Sequence, residues 1–230
     1  MISKLTVWTY GARETMMDVT FYFDFGSPNA FLSHRVILGI KARTAARFDY
    51  VPILLGGLFK LTGNQSPVTA FANIKNKRDY DALEMRRFIA RHAVDDFAFN
   101  PHFPINTLHL MRGAIAAQQL GVFELYVDRI YDAMWVRGLD MGQPDIIART
   151  LAEAGLPVEP LLALSQSPEV KQRLLDNTHA AFEKGAFGSP TFLIGDDLYF
   201  GKDRLRDIEE AIGAACNGGS PYNIPLHDWI

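Results

Sequence analysis

The stretch Phe23-Asp24-Phe25-Gly26-Ser27-Pro28-Asn29-Ala30 carries a Gly-Ser-Pro turn directly after an apolar run. Residues 18–25 alternate in character and are rich in Val, Phe and Tyr, which predicts a β-strand. After the turn, Ser27 at the N-cap and Pro28 at the first helical position favour a helix. Residues 48–54 then predict a second strand, so the chain begins with a strand, helix, strand unit whose crossover we expect to be right-handed.

The start of this predicted helix is a position that stabilises negative charge. Its first backbone N–H groups lack helical partners, and the helix dipole is positive at this end. Thioredoxin-like oxidoreductases hold a CxxC pair at such a position and acidify its first thiol. Here the corresponding residues are Ser27-Pro28-Asn29-Ala30, so dithiol exchange cannot occur at this position. Two interpretations of Ser27 stay open: it caps the helix, or its hydroxyl donates to a thiolate that another molecule supplies.

The number of cysteines limits the kinds of site that the chain can form. Cys216 is the only cysteine of the 230-residue sequence. That count excludes an intrachain disulfide, a CxxC redox pair and a zinc site with several cysteine ligands. We predict no metal site.

The middle of the chain has mainly helical periodicity. Residues 56–76 contain Gly56-Gly57, Gly63-Asn64 and Ser66-Pro67 and predict mostly loop, with at most one short helical turn. Five helical patterns follow, at residues 79–92, 107–120, 123–136, 144–154 and 168–184.

Strand periodicity returns near the C-terminus. Residues 191–194 and 198–200 are short apolar runs joined by Gly195-Asp196-Asp197, which predicts a hairpin. Residues 203–216 predict a last amphipathic helix with Asp203 as its N-cap. This order predicts an α/β protein, a thioredoxin-like fold with a helical insertion domain.

The same pattern predicts a division of the chain into domains. We expect a thioredoxin-like domain at residues 18–55 and 186–216. A loop plus helical insertion domain would occupy residues 56–185, with an N-terminal extension at 1–17 and a C-terminal tail at 217–230.

A second motif, Phe187-Gly188-Ser189-Pro190-Thr191-Phe192, precedes the third predicted strand. A proline at such a position is commonly an edge-strand or turn residue. In a thioredoxin-like fold, however, it would lie beside the Ser27 turn, where these folds carry a cis-proline. We therefore predict a cis bond before Pro190, which would leave the backbone N–H and C=O of Ser189 free to pair with a peptide-like ligand.

A third motif, Tyr199-Phe200-Gly201-Lys202-Asp203-Arg204-Leu205, leads from the last strand into the last helix. Asp203 could simply cap this helix, with Lys202 and Arg204 solvated. Alternatively, Asp203 and the helix start hold the γ-glutamyl end of a ligand, the ligand's amine against the carboxylate and its carboxylate against backbone N–H groups.

Composition and charge exclude several classes of function. The net charge of -3 provides no broad cationic surface, so we expect no nucleic-acid partner. No apolar run in residues 1–17 is long enough for a secretory signal, and none elsewhere approaches the roughly 20 residues that span a bilayer. We expect a cytoplasmic protein without a membrane partner.

Taken together and in order, four motifs resemble those of the 2-hydroxychromene-2-carboxylate isomerases. Three are the stretch 23–31 and the motifs quoted above around Ser189 and Lys202, and the fourth is Gly56-Gly57-Leu58-Phe59-Lys60-Leu61-Thr62-Gly63-Asn64. This family is related to kappa-class glutathione transferases and DsbA-type oxidoreductases, and the resemblance covers residues 18–214. It implies glutathione as cofactor, a small aromatic carboxylate as substrate and a homodimer.

The resemblance also implies roles for individual residues. Ser27 would hold the glutathione thiolate and act in catalysis. Cofactor contacts are expected from Asn64, Ser189, cis-Pro190, Lys202 and Asp203. The substrate carboxylate is expected at Lys60, Asn106 or Arg112. An aromatic pocket could involve Trp135, Phe103 and His102, but core packing is the favoured role for each of them.

The implied reaction opens the chromene ring and yields trans-o-hydroxybenzylidenepyruvate, with no net redox change. Three other functions stay open. A conjugating or reducing transferase would share the cofactor residues, and a protein that binds glutathione without turnover would share them too. A disulfide oxidoreductase is disfavoured by the absent cysteines.

Overall fold

In the computed structural model, which describes residues 17–216, strand β1 (Asp18–Phe23) lies inside a four-stranded sheet of order β2-β1-β3-β4. Strand β2 (Arg47–Pro52) runs parallel to β1, whereas β3 (Thr191–Ile194) runs antiparallel to it. Strand β4 (Asp197–Phe200) pairs with β3 and forms the edge. The ends of β1, β2 and β4 and the start of β3 therefore meet at one end of the sheet.

Helices fill the rest of the described chain. They are α1 (Pro28–Thr44), α2 (Leu55–Thr62), α3 (Pro67–Ala70), α4 (Lys77–His92), α5 (Leu108–Gln119), α6 (Phe123–Trp135), α7 (Pro144–Glu153), α8 (Val158–Ser165), α9 (Pro168–Glu183) and α10 (Leu205–Cys216). A short 3-10 turn at Lys202–Arg204 precedes α10. The thioredoxin-like fold with inserted helices is confirmed. Among residues 17–216, no helix combines the length and apolar character that crossing a bilayer requires.

Two parts of the secondary-structure prediction were wrong. Residues 56–76, predicted as mostly loop, contain most of α2 and all of α3. Gly56 and Gly57 lie inside α2, where each costs about 1 kcal/mol relative to alanine, and the burial of Leu58 against the sheet offsets that cost. Helix α8 was missed because it is short and carries Pro160 in its first turn, a position that tolerates proline.

Side chains alternate across β1 and divide the core between the two faces of the sheet. Phe21 and Phe23 point into a large apolar cluster that continues into the inserted helices. Tyr22 points to the opposite face, where a smaller cluster contains Ile53 and Leu58. The large cluster includes side chains from both predicted domains. The boundaries between the domains stay a prediction.

Helices α5 and α6 pack closely at Gly113. A Cβ atom at this position would lie 2.0 Å from the Tyr126 hydroxyl oxygen. That hydroxyl is buried and donates to the carbonyl of Leu110 at 3.0 Å, so the ring cannot move aside freely. The contact requires a residue without a side chain.

We expect Gly113→Ala to lower the free energy of unfolding by about 2 kcal/mol, because overpacking outweighs the gain in helix propensity. Chemical denaturation measures the change. The matched control is Gly56→Ala, also in a helix, where a Cβ meets nothing within 4 Å. A neutral effect of Gly113→Ala would contradict the close approach.

Candidate active site at the α1 N-terminus

Ser27 and Ser189, separated by 162 residues, meet at the end of the sheet. The Ser27 hydroxyl donates to the backbone carbonyl of Ser189 at 2.8 Å. Its oxygen also accepts the N–H of Ala30 at 3.1 Å, which makes Ser27 the N-cap of α1. The helix-cap interpretation of Ser27 is thus confirmed, and the hydroxyl proton is already in use.

The peptide bond between Ser189 and Pro190 is cis, as predicted. The Ser189 hydroxyl accepts the backbone N–H of Asp24 at 3.3 Å and lies 3.5 Å from the carbonyl of Tyr22. The Ser189 side chain therefore attaches the cis-proline loop to the backbone at the end of β1. The expectation that the Ser189 carbonyl is free was wrong, because that oxygen accepts the Ser27 hydroxyl. A ligand pairing with this carbonyl would share it with Ser27.

Backbone donors at the start of α1 are few. Pro28 has no N–H, and the N–H groups of Ala30 and Phe31 both point to Ser27 acceptors. The N–H of Asn29 has no acceptor among residues 17–216. It is therefore the donor that the helix end offers to an anion, with the positive end of the dipole behind it.

Asp24 is a buried carboxylate beneath the turn, and the sequence analysis did not assign it a role. Its Oδ1 accepts the N–H of Gly26 at 2.8 Å, and its Oδ2 accepts the N–H of Leu55, the first residue of α2, at 2.8 Å. The hydroxyl of Thr107, just before α5, also bonds to it. The one sequence signal was a charged residue between two phenylalanines of an apolar run.

Burial raises the pKa of Asp24 above its usual value, and the hydrogen bonds from Leu55, Gly26 and Thr107 oppose that rise. The carboxylate also caps α2 through its bond to the Leu55 N–H. Leu54, the N-cap residue of this helix, makes no capping bond with its own side chain. One side chain thus connects the turn at Ser27 to the starts of two further helices.

The β4–α10 junction, residues 201–204, differs from its predicted arrangement. The N-cap of the 3-10 turn Lys202–Arg204 is Gly201, and Asp203 lies inside the turn. Lys202 is 5% exposed, so the expectation that it is solvated was wrong, whereas Arg204 is exposed as that alternative predicted. Its Nζ lies 2.6 Å from Oδ1 of Asp203, whose side chain is 64% exposed. Gly201 donates its N–H to the carbonyl of Pro190 at 3.0 Å, which ties this junction to the cis-proline loop.

Asn64 also reaches the cis-proline loop. Its side-chain amide donates to the carbonyl of Phe187 at 2.8 Å. The exposed ring of Phe187 packs on that of Phe200 with centroids 4.4 Å apart. Gly188 allows this contact, because a Cβ there would lie 2.7 Å from the Phe200 ring. An aromatic pair therefore borders the site on the edge-strand side.

The three predicted carboxylate-binding residues differ in their surroundings. Lys60, in the last turn of α2, is exposed. Asn106 is exposed and accepts the N–H of Leu108 at 3.0 Å, which supports the start of α5. Arg112 is partly buried in α5, and its Nε has no hydrogen-bond partner among the residues that the structure describes. A buried guanidinium nitrogen without a partner is costly, and an anion is one group that would satisfy it.

Of the three residues considered for an aromatic pocket, Trp135 belongs to the core. It is fully buried and donates its Nε1–H to the carbonyl of Phe25 at 2.8 Å. The Phe103 ring packs against it at 5.9 Å. His102 is half exposed, with its Nδ1 4.0 Å from Asp140, and it lies outside this packing.

Known proteins match this chain over most of its length. A family model of the DSBA-like thioredoxin domain matches residues 18–213. The 2-hydroxychromene-2-carboxylate isomerase of Pseudomonas putida is 26% identical over 200 residues, which cover 87% of this chain and 96% of the isomerase. Glutathione S-transferase kappa 1 of Rattus norvegicus is 26% identical over 213 residues, with 87% and 92% covered.

A solved 2-hydroxychromene-2-carboxylate isomerase superimposes with a TM-score of 0.76 at 26% identity. The superposition covers 88% of this chain and 97% of the isomerase chain. The arrangement of strands and helices is therefore shared with that protein.

The Asp24 carboxyl generates a prediction about stability and pH. Because its pKa is higher in the folded protein than the usual 3.8, the stability that it contributes is complete below that value and is lost as the pH rises through the folded-state pKa. An amide in place of this carboxyl would not titrate and would leave one backbone N–H without an acceptor. We expect Asp24→Asn to cost about 1–3 kcal/mol at acidic pH, with the difference from the parent shrinking as the pH rises.

Urea denaturation at a series of pH values measures this difference. Asp95→Asn, which removes a carboxylate at an exposed position, is the control. A difference for Asp24→Asn that stays constant across the series would refute the raised pKa.

Proposed function

Because the chain belongs to the DSBA-like thioredoxin family, we propose that it is a glutathione-dependent isomerase that interconverts 2-hydroxychromene-2-carboxylate and trans-o-hydroxybenzylidenepyruvate. The observation that carries the proposal is the 2.8 Å contact between Ser27 and Ser189 beside a cis-proline. This is a thioredoxin-type site in which a serine stands at the position of the redox cysteine. The isomerases that the chain resembles support the choice of reaction.

The sulfur for this chemistry must come from outside the protein. Ser27 and Ala30 replace both cysteines of a CxxC pair, so the site cannot exchange disulfides. Glutathione, when bound, supplies a thiolate that can add to a conjugated alkene and leave again, which makes a double bond rotatable. Every other contribution belongs to the protein: binding, orientation and control of charge.

The end of α1 would favour the ionised form of the bound thiol. A free thiol has a pKa of about 8.5, and a helix N-terminus lowers it. At the start of α1 the N–H of Asn29 is the backbone donor that has no acceptor among the described residues. Ser27 can add a hydrogen bond only if its hydroxyl turns away from the Ser189 carbonyl, so cofactor binding and that internal bond compete for one proton.

The remaining cofactor contacts would come from polar groups around the cis-proline. Ser189 would pair with the cysteinyl backbone, while Asp203, exposed beside Lys202, would take the glutamyl amine. Asn64 is tied to the same loop through its bond to Phe187 and would reach the cofactor or the substrate from there. These groups suit a peptide with a zwitterionic end.

The substrate carboxylate needs a cation or an amide donor. Arg112 is the strongest candidate because its Nε is buried without a partner among residues 17–216, and this cost would be relieved by an anion. Lys60 and Asn106 are exposed and offer weaker support. The aromatic pair of Phe187 and Phe200 suits a flat substrate.

A homodimer is part of the proposal. The segment from α3 to the middle of α4 exposes several large apolar side chains, which single copies in solution rarely leave uncovered. They are Val68, Phe71, Ile74, Tyr80 and Leu83.

The test follows the absorbance of 2-hydroxychromene-2-carboxylate with and without glutathione while free thiol is titrated. We expect conversion that depends on glutathione and leaves its concentration unchanged. Loss of thiol in step with substrate would instead indicate a conjugating transferase. Binding of glutathione without any turnover would indicate a binding protein, and reduction of insulin disulfides would overturn the assignment.

Ser27→Ala tests the role of the hydroxyl. We expect a stability loss of about 1 kcal/mol from the missing cap, together with less thiolate in the ultraviolet spectrum of bound glutathione. Ser167→Ala is the matched control, because Ser167 caps α9 in the same Ser-Pro setting, accepting from Val170 at 3.2 Å. Equal thiolate fractions in the Ser27→Ala variant and the parent would show that the hydroxyl serves only the fold.

A further inference from the structure

Helix α4 packs against the apolar core through Phe88, with the partly buried Met85 and Ile89 beside it. Phe88 is its single buried residue, although the helix has 16 residues. The Phe88 ring packs against His92 of the same helix with centroids 4.4 Å apart. Its face is turned to the Lys202 ammonium, 4.9 Å from the ring centroid. An inserted helix thus touches the β4–α10 junction.

Lys202 is an unusual lysine because its charged end is buried. Its side chain is 6% exposed, and Nζ lies 2.6 Å from Oδ1 of Asp203. A buried ammonium loses hydration, and this cost is compensated here by one carboxylate and one aromatic face. If the ring were removed, the flexible lysine would gain by extending into water.

Asp203 is held by this lysine on one oxygen and open on the other. Its side chain is 64% exposed, so Oδ2 can meet a ligand. The junction lies at the end of the sheet that carries Ser27, because Gly201 bonds to Pro190 at 3.0 Å. The pair of Lys202 and Asp203 is neutral as a whole, which matches a ligand group that is itself a zwitterion.

We propose that Phe88 is a positioning residue for the amino-acid end of glutathione, acting through Lys202 on Asp203. The Phe88 ring holds the ammonium, the ammonium holds Oδ1 of Asp203, and Oδ2 receives the glutamyl amine. The proposal rests on the proposed function. Through this contact the inserted helix α4 controls which thiols the site accepts, favouring those with a γ-glutamyl group over those without one.

The test compares the binding of glutathione with that of cysteinylglycine, which lacks the γ-glutamyl group, by calorimetry. Phe88→Leu keeps an apolar side chain but removes the ring. We expect it to weaken glutathione binding about fivefold, the loss of roughly 1 kcal/mol of cation–π attraction, and to change cysteinylglycine binding less than about twofold. Phe88→Tyr retains the ring face and should bind both thiols like the parent.

Each result decides the proposal. Glutathione binding by Phe88→Leu equal to that of the parent would overturn it, and so would an equal weakening of both thiols, which would mark Phe88 as a structural residue only. If Phe88→Leu does not fold, as judged by circular dichroism, Phe88→Met, which also keeps an apolar side chain without the ring, takes its place and should show the same selective loss. Failure of the parent to bind glutathione would overturn the proposed function and this inference together, whereas the other outcomes touch the inference alone.

Discussion

The buried carboxylate of Asp24 is the contact on which the geometry of the site depends. Its two oxygens accept backbone N–H groups from the Ser27 turn and from the start of α2, and Thr107 brings the start of α5 to the same point. Burying a charged group is costly, and the cost is met here by satisfying both oxygens. The Ser27 turn, helix α2 with Lys60, and helix α5 with Arg112 are therefore placed relative to one another by a single side chain.

Ser27 has two functions that compete for the same atoms. Its oxygen caps α1 by accepting the N–H of Ala30, and its proton is donated to the backbone carbonyl of Ser189. A cysteine could not fill both functions well, since sulfur is a weak donor and acceptor. The change from thiol to hydroxyl thus exchanges redox chemistry for a more firmly closed turn.

Local sequence signals predicted the parts of the fold that local chemistry decides. The Ser-Pro cap, the strands at the two ends and the Gly195-Asp196 turn all follow from residues close in sequence. The burial of Lys202, the engaged carbonyl of Ser189 and the role of Asp24 depend on partners far away in the chain, so no short pattern encodes them. Helix α2 was missed for a similar reason, because packing against the sheet outweighs its two glycines.

The position of β3 between β1 and β4 has a consequence for biosynthesis. One hydrogen-bonding edge of β1, near the N-terminus, stays unpaired until Thr191–Ile194 leaves the ribosome. The inserted helices, rich in local contacts, can form in the meantime, while the candidate site needs the Ser27–Ser189 contact, which spans 162 residues. A truncated product of translation would thus hold folded helices and an open sheet edge, a template for aggregation that the final strands remove.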